Sequence, residues 1–416
     1  MFKLFNSIDE VFDYLYNQRK KNKRENLDRI ANCYKLLGIK SNYKIIHIAG
    51  TNGKGSISEG IKTILSNCNL HVGIFTSPYV ISFNERIRIN DRMISDSEIM
   101  HYMNILKKFN DEYTLKYDDN IPFFELTLLM ALMYFEDRKI DVLVLECGLG
   151  GRLDATNFLK TDLAIISNIG FDHMQQLGNT LEEIAYHKLG IVKNNEDLIT
   201  AVDESLLPYF KDNLKDTKSN IIWVNDKIKD VHFDLKNTYF KYKGLNYKTN
   251  LIGLYQAYNM SIAIEASNYI INNINKDIID YSLNNIFWPG RFEIINDNII
   301  LDGAHNIHAI KALCNTLKEL NKKINIIYTS LKDKDYKSVI SELDSIANKY
   351  YFTTIDDLRK EDPNIFKSLT NKESIVIDNP FECVDYVINN INKDEIILIT
   401  GSLHFISIIR EYLKNK

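Results

Sequence analysis

The sequence contains little cysteine, and it lacks an uncharged apolar run long enough to cross a membrane. Only 5 of its 416 residues are cysteines. They are scattered, odd in number and without C-x-x-C spacing, which argues against a disulfide framework or a zinc site and favours a reducing cytoplasm. The closest approach to a membrane segment, Phe123 to Phe135, is shorter than the ~20 residues required and carries Glu125. We therefore expect a cytoplasmic protein with no membrane partner.

The sequence also lacks an excess of charge of either sign. Lys and Arg together number 51, Asp and Glu number 55, and the formal net charge is −4. This balance argues against a protein that coats nucleic acid. A charge run from Arg19 to Arg24 is interpreted as a solvated loop in preference to an anion-attracting surface. Apolar and charged fractions of 45% and 25% are typical of globular proteins, and the length predicts two domains.

A predicted strand, glycine-rich turn and helix lie between Tyr43 and Ser66. The run from Lys44 to Ala49 is typical of a buried strand, and a helix is expected to begin near Ser56. Glycines allow the turn to direct backbone N–H groups inward, the start of the helix adds a positive dipole end, and Lys54 adds a full charge. The turn therefore suits phosphates, although a turn without a ligand is the alternative. The residues predicted to bind the nucleotide here are Gly50, Thr51, Asn52, Gly53, Lys54, Gly55 and Ser56.

This turn departs from the common phosphate-binding pattern G-x-x-x-x-G-K-[ST]. Ile48 stands in place of its first glycine, and Gly55 separates Lys54 from Ser56. The variant resembles the turn of the Mur ligase superfamily, and most closely that of the folylpolyglutamate synthases, including bacterial enzymes that are also dihydrofolate synthases. Motifs similar to that family's follow in order: T-S-P with E-R-I, G-L-G-G-R-L-D-A-T-N, W-P-G-R and D-G-A-H-N. The resemblance extends from Gly50 to Ser402.

A magnesium site is predicted where the strand from Asp141 to Glu146 ends. Its apolar run is typical of a buried parallel strand, so Glu146 is expected at the mouth of the sheet, where a carboxylate suits Mg²⁺. A solvated glutamate is the alternative. The resemblance adds Ser77 and His173 as magnesium ligands. In the family a lysine is carbamylated, which here indicates Lys188; uptake of CO₂ would give it oxygens for a second magnesium ion.

The acceptor site is predicted from the resemblance alone, with one physical argument beside it. The family places folate or pteroate contacts on its F-E-x-x-T region, and an aromatic ring is a natural surface for a flat pterin. The aromatic pair in this region is equally consistent with a role in the core. The G-L-G-G-R-L-D-A-T-N motif implies a further border of the same site. The predicted substrate-binding residues are Phe123, Phe124, Glu125, Leu153, Asp154 and Ala155.

A second domain is predicted to begin after Trp288, because proline and glycine at positions 289 and 290 break the preceding helix and new strands follow. We expect domains at 1–288 and 289–416. The fold class is α/β: an N-terminal P-loop ATPase domain with a mostly parallel, doubly wound sheet and a small antiparallel patch, then a smaller Rossmann-like domain. The resemblance implies further nucleotide contacts from Asn259, Arg291, Asp302 and His305.

The resemblance implies an ATP-dependent ligase. ATP would phosphorylate a substrate carboxylate, and L-glutamate would attack the acyl phosphate to form an amide. The acceptor would be a folate, with dihydropteroate as a possible additional acceptor, and Lys54, Lys188 and His173 would be the catalytic residues. ATP, two Mg²⁺ ions and a monomer are expected. Alternatives are a P-loop phosphotransferase, a Mur ligase of the cell-wall type, and a non-catalytic nucleotide-binding module.

Overall fold

The structure is a computed structural model that describes residues 4–18 and 26–416. The charge run from Arg19 to Arg24 therefore lies outside the described residues. The chain divides into two compact units, and the division at residues 288 and 289 stays a prediction. The first unit comprises Met1–Ile169, Thr180–Asn225 and Ile262–Ser282, and the second comprises Gly170–Asn179, Asp226–Ser261 and Leu283–Lys416.

The first unit is built on one large sheet. Its strands are β1 (Lys44–Ala49), β2 (Val72–Phe75), β3 (Ile87–Ile89), β4 (Arg92–Met93), β5 (Val142–Glu146), β6 (Leu163–Ile166), β7 (Leu198–Thr200) and β8 (Ile221–Trp223). Within the described residues these eight strands have the order β4-β3-β2-β5-β1-β6-β7-β8. The six strands from β2 to β8 in this order are parallel, and β3 and β4 are antiparallel.

The central strands β5, β1 and β6 bring their carboxyl ends to the same edge of the sheet. Ile48 is paired with Glu146, and Ala49 with Ile166. All five residues of β5 are buried, as its continuous apolar run predicts for a parallel strand covered on both faces. Since ligands of open α/β sheets bind beyond the carboxyl ends of strands, this edge is where a site is expected.

Helices follow most of the strands. The helices are α1 (Ile8–Asn17), α2 (Asp28–Leu36), α3 (Lys54–Asn67), α4 (Asp96–Tyr117), α5 (Phe123–Asp137), α6 (Met174–Leu177), α7 (Leu181–Leu189), α8 (Leu207–Leu214), α9 (Leu254–Ile270), α10 (Lys276–Asn284), α11 (Ile307–Lys318), α12 (Tyr336–Leu343), α13 (Pro363–Lys367), α14 (Pro380–Asn390) and α15 (Leu403–Lys414). No helix in the described part of the chain is long and apolar enough to span a bilayer. All five cysteines are free thiols.

Two further sheets form the second unit. Their strands are β9 (Ile228–Phe233), β10 (Thr238–Tyr242), β11 (Leu245–Thr249), β12 (Glu293–Ile295), β13 (Ile299–Asp302), β14 (Ile324–Tyr328), β15 (Ala347–Phe352), β16 (Ser374–Val376) and β17 (Ile396–Thr400). Residues 226–416, all of them described, contain a three-stranded antiparallel sheet β11-β10-β9 and a six-stranded sheet β12-β13-β17-β14-β15-β16. In the latter only β12 is antiparallel. The predicted fold class is confirmed.

Candidate active site

The phosphate loop connects β1 directly to α3. Gly50 and Gly53 have φ angles of +148° and +84°, a range that L side chains rarely adopt, so glycine allows both turns. Gly53 is the N-cap of α3, which begins at Lys54 rather than near Ser56 as the sequence predicts. The helix starts earlier because the left-handed Gly53 turns the chain into it. Lys54 therefore lies in the first turn of the helix, next to the unpaired amides that suit an anion.

The end of β6 holds the loop in place. The Asn168 side chain accepts a hydrogen bond from Asn52 N at 3.0 Å and donates one to Asn52 O at 3.1 Å. Ser167 Oγ donates to the same carbonyl at 2.5 Å. A Cβ atom added to Gly50 would lie 1.8 Å from Ser167 Oγ, so the contact leaves no room for a side chain. These bonds fix the backbone that would surround a phosphate.

Lys54, Glu146 and Ser77 meet at the carboxyl ends of β1, β5 and β2. Lys54 Nζ donates to Gly50 O at 3.0 Å and to Thr51 O at 3.3 Å, and it lies 4.0 Å from Glu146 Oε1. Ser77 N donates to Glu146 Oε2 at 3.1 Å. Glu146 is buried, so its carboxylate is held close to a cation in an environment of low dielectric. The predicted proximity of Glu146 to the phosphate loop is found.

Lys188 also reaches the phosphate loop. It lies in the last turn of α7, is buried, and its Nζ donates to Gly50 O at 2.9 Å. The Lys188 side chain thus lies beside the phosphate loop, where a ligand for a second magnesium ion is predicted from the sequence. Its carbamylation stays a prediction.

The chemistry of the donors in the first unit fits a divalent cation that prefers oxygen. Glu146 supplies a buried carboxylate at a strand end, and Ser77 is hydrogen-bonded to it through its own amide. Within the described ranges 4–18 and 26–416, no three His, Cys, Asp or Glu side chains are grouped to hold a metal. Such a site would therefore need ligands of other kinds, as the predicted set with Ser77 and Lys188 has. The ligand set stays a prediction.

Two of the residues predicted to contact the acceptor, Phe124 and Asp154, lie near the end of β5. Phe124 packs edge-on against Phe75, with ring centroids 5.7 Å apart, and its ring leaves only 2.8 Å for a Cβ at Gly148. Asp154 accepts hydrogen bonds from Leu149 N at 2.8 Å and from Thr156 Oγ1 at 2.6 Å. Burial raises the pKa of Asp154 despite these hydrogen bonds. Its carboxylate therefore shapes the loop that presents the side chains on either side of it.

The neighbours of Asp154 differ from it in exposure. Leu153 is 54% exposed. Ala155 is partly buried and packs against the hydrophobic core of the first unit. An exposed leucine beside a buried aspartate gives the loop an apolar surface that a ring could cover. The assignment of these residues to the acceptor stays a prediction.

Glu125, although predicted to bind substrate, is engaged within the protein. Arg29 Nη2 donates to Glu125 Oε1 at 2.6 Å, and Arg29 Nε donates to Glu125 Oε2 at 2.9 Å. Arg29 also donates to Asp119 Oδ2 at 3.1 Å. Both oxygens of Glu125 are thus occupied by one guanidinium fork. In this structure the charge of Glu125 fixes the start of α5 to α2, which positions the neighbouring aromatic pair.

In the second unit Asp172 lies close to one lysine and two histidine side chains. Lys334 Nζ, His305 Nε2 and His173 Nε2 lie 3.7, 3.8 and 3.9 Å from its carboxylate, and Asn306 Nδ2 donates to it at 2.9 Å. Burial opposes the charge of Asp172, but Lys334 and the two histidines outweigh it, so the pKa is lowered. Burial lowers the pKa of His305 to about 4. The predicted residues His173 and His305 are therefore brought together by an acid that the sequence analysis missed.

Asp302, another predicted nucleotide contact of this unit, is held by backbone hydrogen bonds and lies near Arg291. Its carboxylate accepts hydrogen bonds from Ala304 N and Phe292 N, both at 2.8 Å. Burial raises the pKa of Asp302, and the opposing charge of Arg291 does not cancel this effect. Asn259 is separate from this group in its contacts, since its Nδ2 donates to Gln256 Oε1 at 2.9 Å. All of these nucleotide contacts stay predictions.

Ser167, Asn168, Asp172 and Lys334 are among the polar residues at these groups that the sequence analysis did not select. A usable signal existed for the first two, because they directly follow the buried strand β6 at the edge where ligands bind. Lys334 carried no such signal, because its partner lies far away in sequence.

A phosphate loop at the carboxyl ends of a parallel sheet, followed by a second α/β unit, defines a nucleotide-dependent ligase of the Mur type. Family models agree with this class: the Mur ligase middle domain matches residues 48–267, and the Mur ligase, glutamate ligase domain matches residues 290–403.

Individual relatives show which family of Mur-type ligases the chain resembles. The chain is 32% identical to a dihydrofolate synthase/folylpolyglutamate synthase of Bacillus subtilis, over 99% of this chain and 100% of that protein. A crystal structure of folylpolyglutamate synthase from Thermotoga maritima is 29% identical with a TM-score of 0.84, covering 98% of this chain and 96% of the other. The chain belongs to the dihydrofolate synthase/folylpolyglutamate synthase family.

The fold also matches a bifunctional folylpolyglutamate synthase/dihydrofolate synthase from Yersinia pestis, solved with AMPPNP and a Mn ion. That match has a TM-score of 0.88 and 23% identity and covers 100% of both chains. At this identity the match concerns the fold alone.

Proposed function

We propose that the protein joins L-glutamate to the carboxylate of a folate, using ATP, and that it also accepts dihydropteroate. The observation that carries the proposal is the arrangement of Lys54, Glu146 and the phosphate loop at one edge of the sheet, with Lys54 Nζ 4.0 Å from the Glu146 carboxylate. A partly buried cation beside a buried acid suits a phosphoryl group and its counterion. The names of the curated relatives support both acceptors.

The reaction balances in two steps. An oxygen of the acceptor carboxylate attacks the γ-phosphorus of ATP, the bond to the β-phosphate oxygen breaks, and ADP leaves. The amino group of L-glutamate then attacks the acyl carbon, the bond to the phosphate oxygen breaks, and inorganic phosphate leaves while the amine loses a proton. The first step is needed because a free carboxylate is a poor electrophile.

The phosphate loop would bind the nucleotide in this scheme. Lys54 and the amides from Gly50 to Ser56 would hold the phosphates and offset the charge that develops on the transferred group. Ser77, Glu146 and His173 would hold Mg²⁺, which supplies charge neutralisation at the phosphates when bound. Lys188, if carbamylated, would hold a second ion. The AMPPNP and Mn ion of the Yersinia pestis relative support a nucleotide and a divalent metal.

The remaining expectations complete the proposal. Asn259, Arg291, Asp302 and His305 would also contact the nucleotide. Phe123, Phe124, Leu153 and Ala155 would line the acceptor site. We further propose a cytoplasmic monomer without a nucleic-acid partner; the free cysteines support a reducing compartment.

The test is phosphate release by the purified protein with ATP, Mg²⁺ and L-glutamate, with dihydropteroate and tetrahydrofolate compared as acceptors. We expect release that requires both glutamate and an acceptor, and a product heavier than the acceptor by one glutamyl residue. Turnover that does not depend on glutamate would favour a phosphotransferase instead. Turnover of a UDP-linked acceptor and of neither pteridine would favour a ligase of the cell-wall type.

A further inference from the structure

Arg86 is a buried arginine without a polar partner. Arg86 is only 8% exposed. Its side chain forms no hydrogen bond or ion pair with any described residue. Its Nε atom is buried with no acceptor. A buried charge that is not paired is destabilised compared with the same charge in water. Such a group is retained where something outside the protein supplies the partner.

The neighbours of the Arg86 guanidinium are aromatic faces. Its Cζ lies 5.1 Å from the ring centre of Tyr79, 5.6 Å from that of Phe123 and 5.8 Å from that of Phe83. Tyr16 stacks on Phe123 with ring centroids 5.4 Å apart. Ring faces attract a cation but accept no N–H hydrogen bond of ordinary strength, so the planar fork keeps its donors for an anion. Burial accordingly lowers the pKa of Arg86.

The other buried arginines of the described residues are all paired with carboxylates. Arg29 contacts Glu125 and Asp119, Arg88 Nη2 lies 2.8 Å from Glu59, and Arg410 Nε lies 2.8 Å from Glu293. This chain therefore satisfies a buried guanidinium with an acid wherever the role is structural. Arg86 is the exception among them.

Arg86 lies next to both halves of the proposed site in the first unit. Thr76 N donates to Arg86 O at 3.0 Å, and the following residue, Ser77, donates its amide to Glu146. On the other side the guanidinium faces Phe123, the first residue of α5 and a predicted acceptor contact. An anion bound by Arg86 would therefore lie beside aromatic rings and near the phosphate loop's acid.

We propose that Arg86 binds the reacting carboxylate of dihydropteroate, with the surrounding rings contacting the aryl group that carries this carboxylate. The inference rests on the proposed function and names a residue that holds its substrate. A guanidinium fork matches the two oxygens of a carboxylate, and aromatic faces match a benzoyl ring. An aromatic carboxylate would satisfy both features together, whereas a nucleotide phosphate would satisfy only the charge.

The test compares Arg86→Met and Arg86→Lys with the wild type and with Arg92→Met as a matched control. Arg92 lies on the neighbouring strand β4, is exposed, and pairs with Glu98 at 2.7 Å. Binding of dihydropteroate without ATP is followed by calorimetry, and KM is measured for dihydropteroate, tetrahydrofolate, ATP and glutamate. We expect Arg86→Met to weaken dihydropteroate binding roughly 10- to 100-fold, the scale of a lost charged hydrogen bond. Arg86→Lys should lie between, and Arg92→Met should match the wild type.

Stability separates this role from a structural one. Removing an unpaired buried charge should leave the melting temperature of the ligand-free protein unchanged or raise it, while the KM for dihydropteroate rises and those for ATP and glutamate stay within about 3-fold. A lower melting temperature with unchanged acceptor binding would overturn the proposal. An ATP KM that rises as much as the dihydropteroate KM, or a loss confined to tetrahydrofolate, whose reacting carboxylate belongs to its glutamyl group and not to the aryl ring, would also overturn it.

The same experiment distinguishes failure of the proposed function. If the wild type releases no phosphate but binds dihydropteroate in an Arg86-dependent way, the ligase proposal fails and the Arg86 assignment holds. If the wild type is an active ligase and Arg86→Met binds dihydropteroate normally, the Arg86 assignment fails alone.

Discussion

Arg29 and Arg86 are buried guanidinium groups of the same unit with different surroundings. Arg29 donates to the carboxylates of Glu125 and Asp119 at 2.6 and 3.1 Å, whereas Arg86 contacts only ring faces. Burial lowers the pKa of both groups; for Arg29 the ion pairs more than reverse this, so its pKa is raised, and for Arg86 it stays lowered. The comparison teaches that burial alone does not reveal the role of an arginine. The groups that its guanidinium contacts indicate whether the role is structural or ligand-binding.

The largest expected effect tests the paired arginine. Replacing Arg29 with Met leaves two buried acids, Asp119 and Glu125, without their cation. We expect a loss of about 3–5 kcal/mol in the free energy of unfolding, the usual scale for breaking a buried pair on one side. Urea unfolding followed by circular dichroism measures it, with Arg86→Met beside it.

A triple variant shows whether unpaired charge is the cause. Arg29→Met combined with Asp119→Asn and Glu125→Gln removes the whole group of charges, and much of the lost stability should return. If Arg29→Met and Arg86→Met were equally destabilising, the distinction between the two arginines would be wrong.

The second prediction concerns a cation that lies between these extremes. Lys54 donates to two carbonyls of the phosphate loop and lies 4.0 Å from Glu146, so it is only loosely held by an acid. We expect Lys54→Ala to remain folded and to lose roughly a hundredfold or more in kcat, as expected for removing one preorganised charge at a reacting group.

Steady-state phosphate release measures the effect of Lys54→Ala. Lys44→Ala, at the exposed start of β1, the strand that precedes the phosphate loop, serves as the control and should keep near-normal turnover. Near-normal glutamate addition by Lys54→Ala would reject the assigned role of Lys54.

The third prediction has the smallest expected effect. It concerns a buried histidine, His47, which stays uncharged in the folded protein. His47 is fully buried, its Nε2 lies 2.8 Å from Thr156 Oγ1, and burial lowers its pKa to about 3. The unfolded chain takes up a proton near pH 6.5 and the folded protein does not, so acid favours unfolding. Stability due to this group should fall by roughly 2 kcal/mol between pH 7 and pH 5.

Urea unfolding at both pH values checks this, with His47→Gln as the comparison. The acid-induced loss should be smaller in the variant by that amount, since the other histidines contribute equally to both proteins. The same loss in both proteins would mean that His47 is charged in the folded state.

The fold and the centre of the site could be predicted because their signals are local. The run of strand, glycine turn and helix placed Lys54, and the acid after an apolar strand placed Glu146 at the same edge. The strand Lys44–Ala49 matches its predicted range for the same reason, and the strand predicted from Asp141 to Glu146 is found at Val142–Glu146. In each case a contiguous stretch carries the whole pattern.

The rest depends on partners distant in sequence. Arg29 and Glu125 are 96 residues apart, so no local pattern indicated that this acid is engaged within the protein. The rings around Arg86 come from a loop and from the start of a helix, and the E-R-I motif gave no sign of them. The three-residue strands β7 and β8 were missed because runs so short carry little periodicity.

The contact between Gly50 and Ser167 limits how this protein could be altered. A side chain at position 50 would meet Ser167 Oγ at 1.8 Å and would also require a backbone angle of +148°. A library that randomised the loop should therefore recover glycine at this position whatever is selected at the others. Transplanting a loop from another ATPase would succeed only if the end of its partner strand came with it.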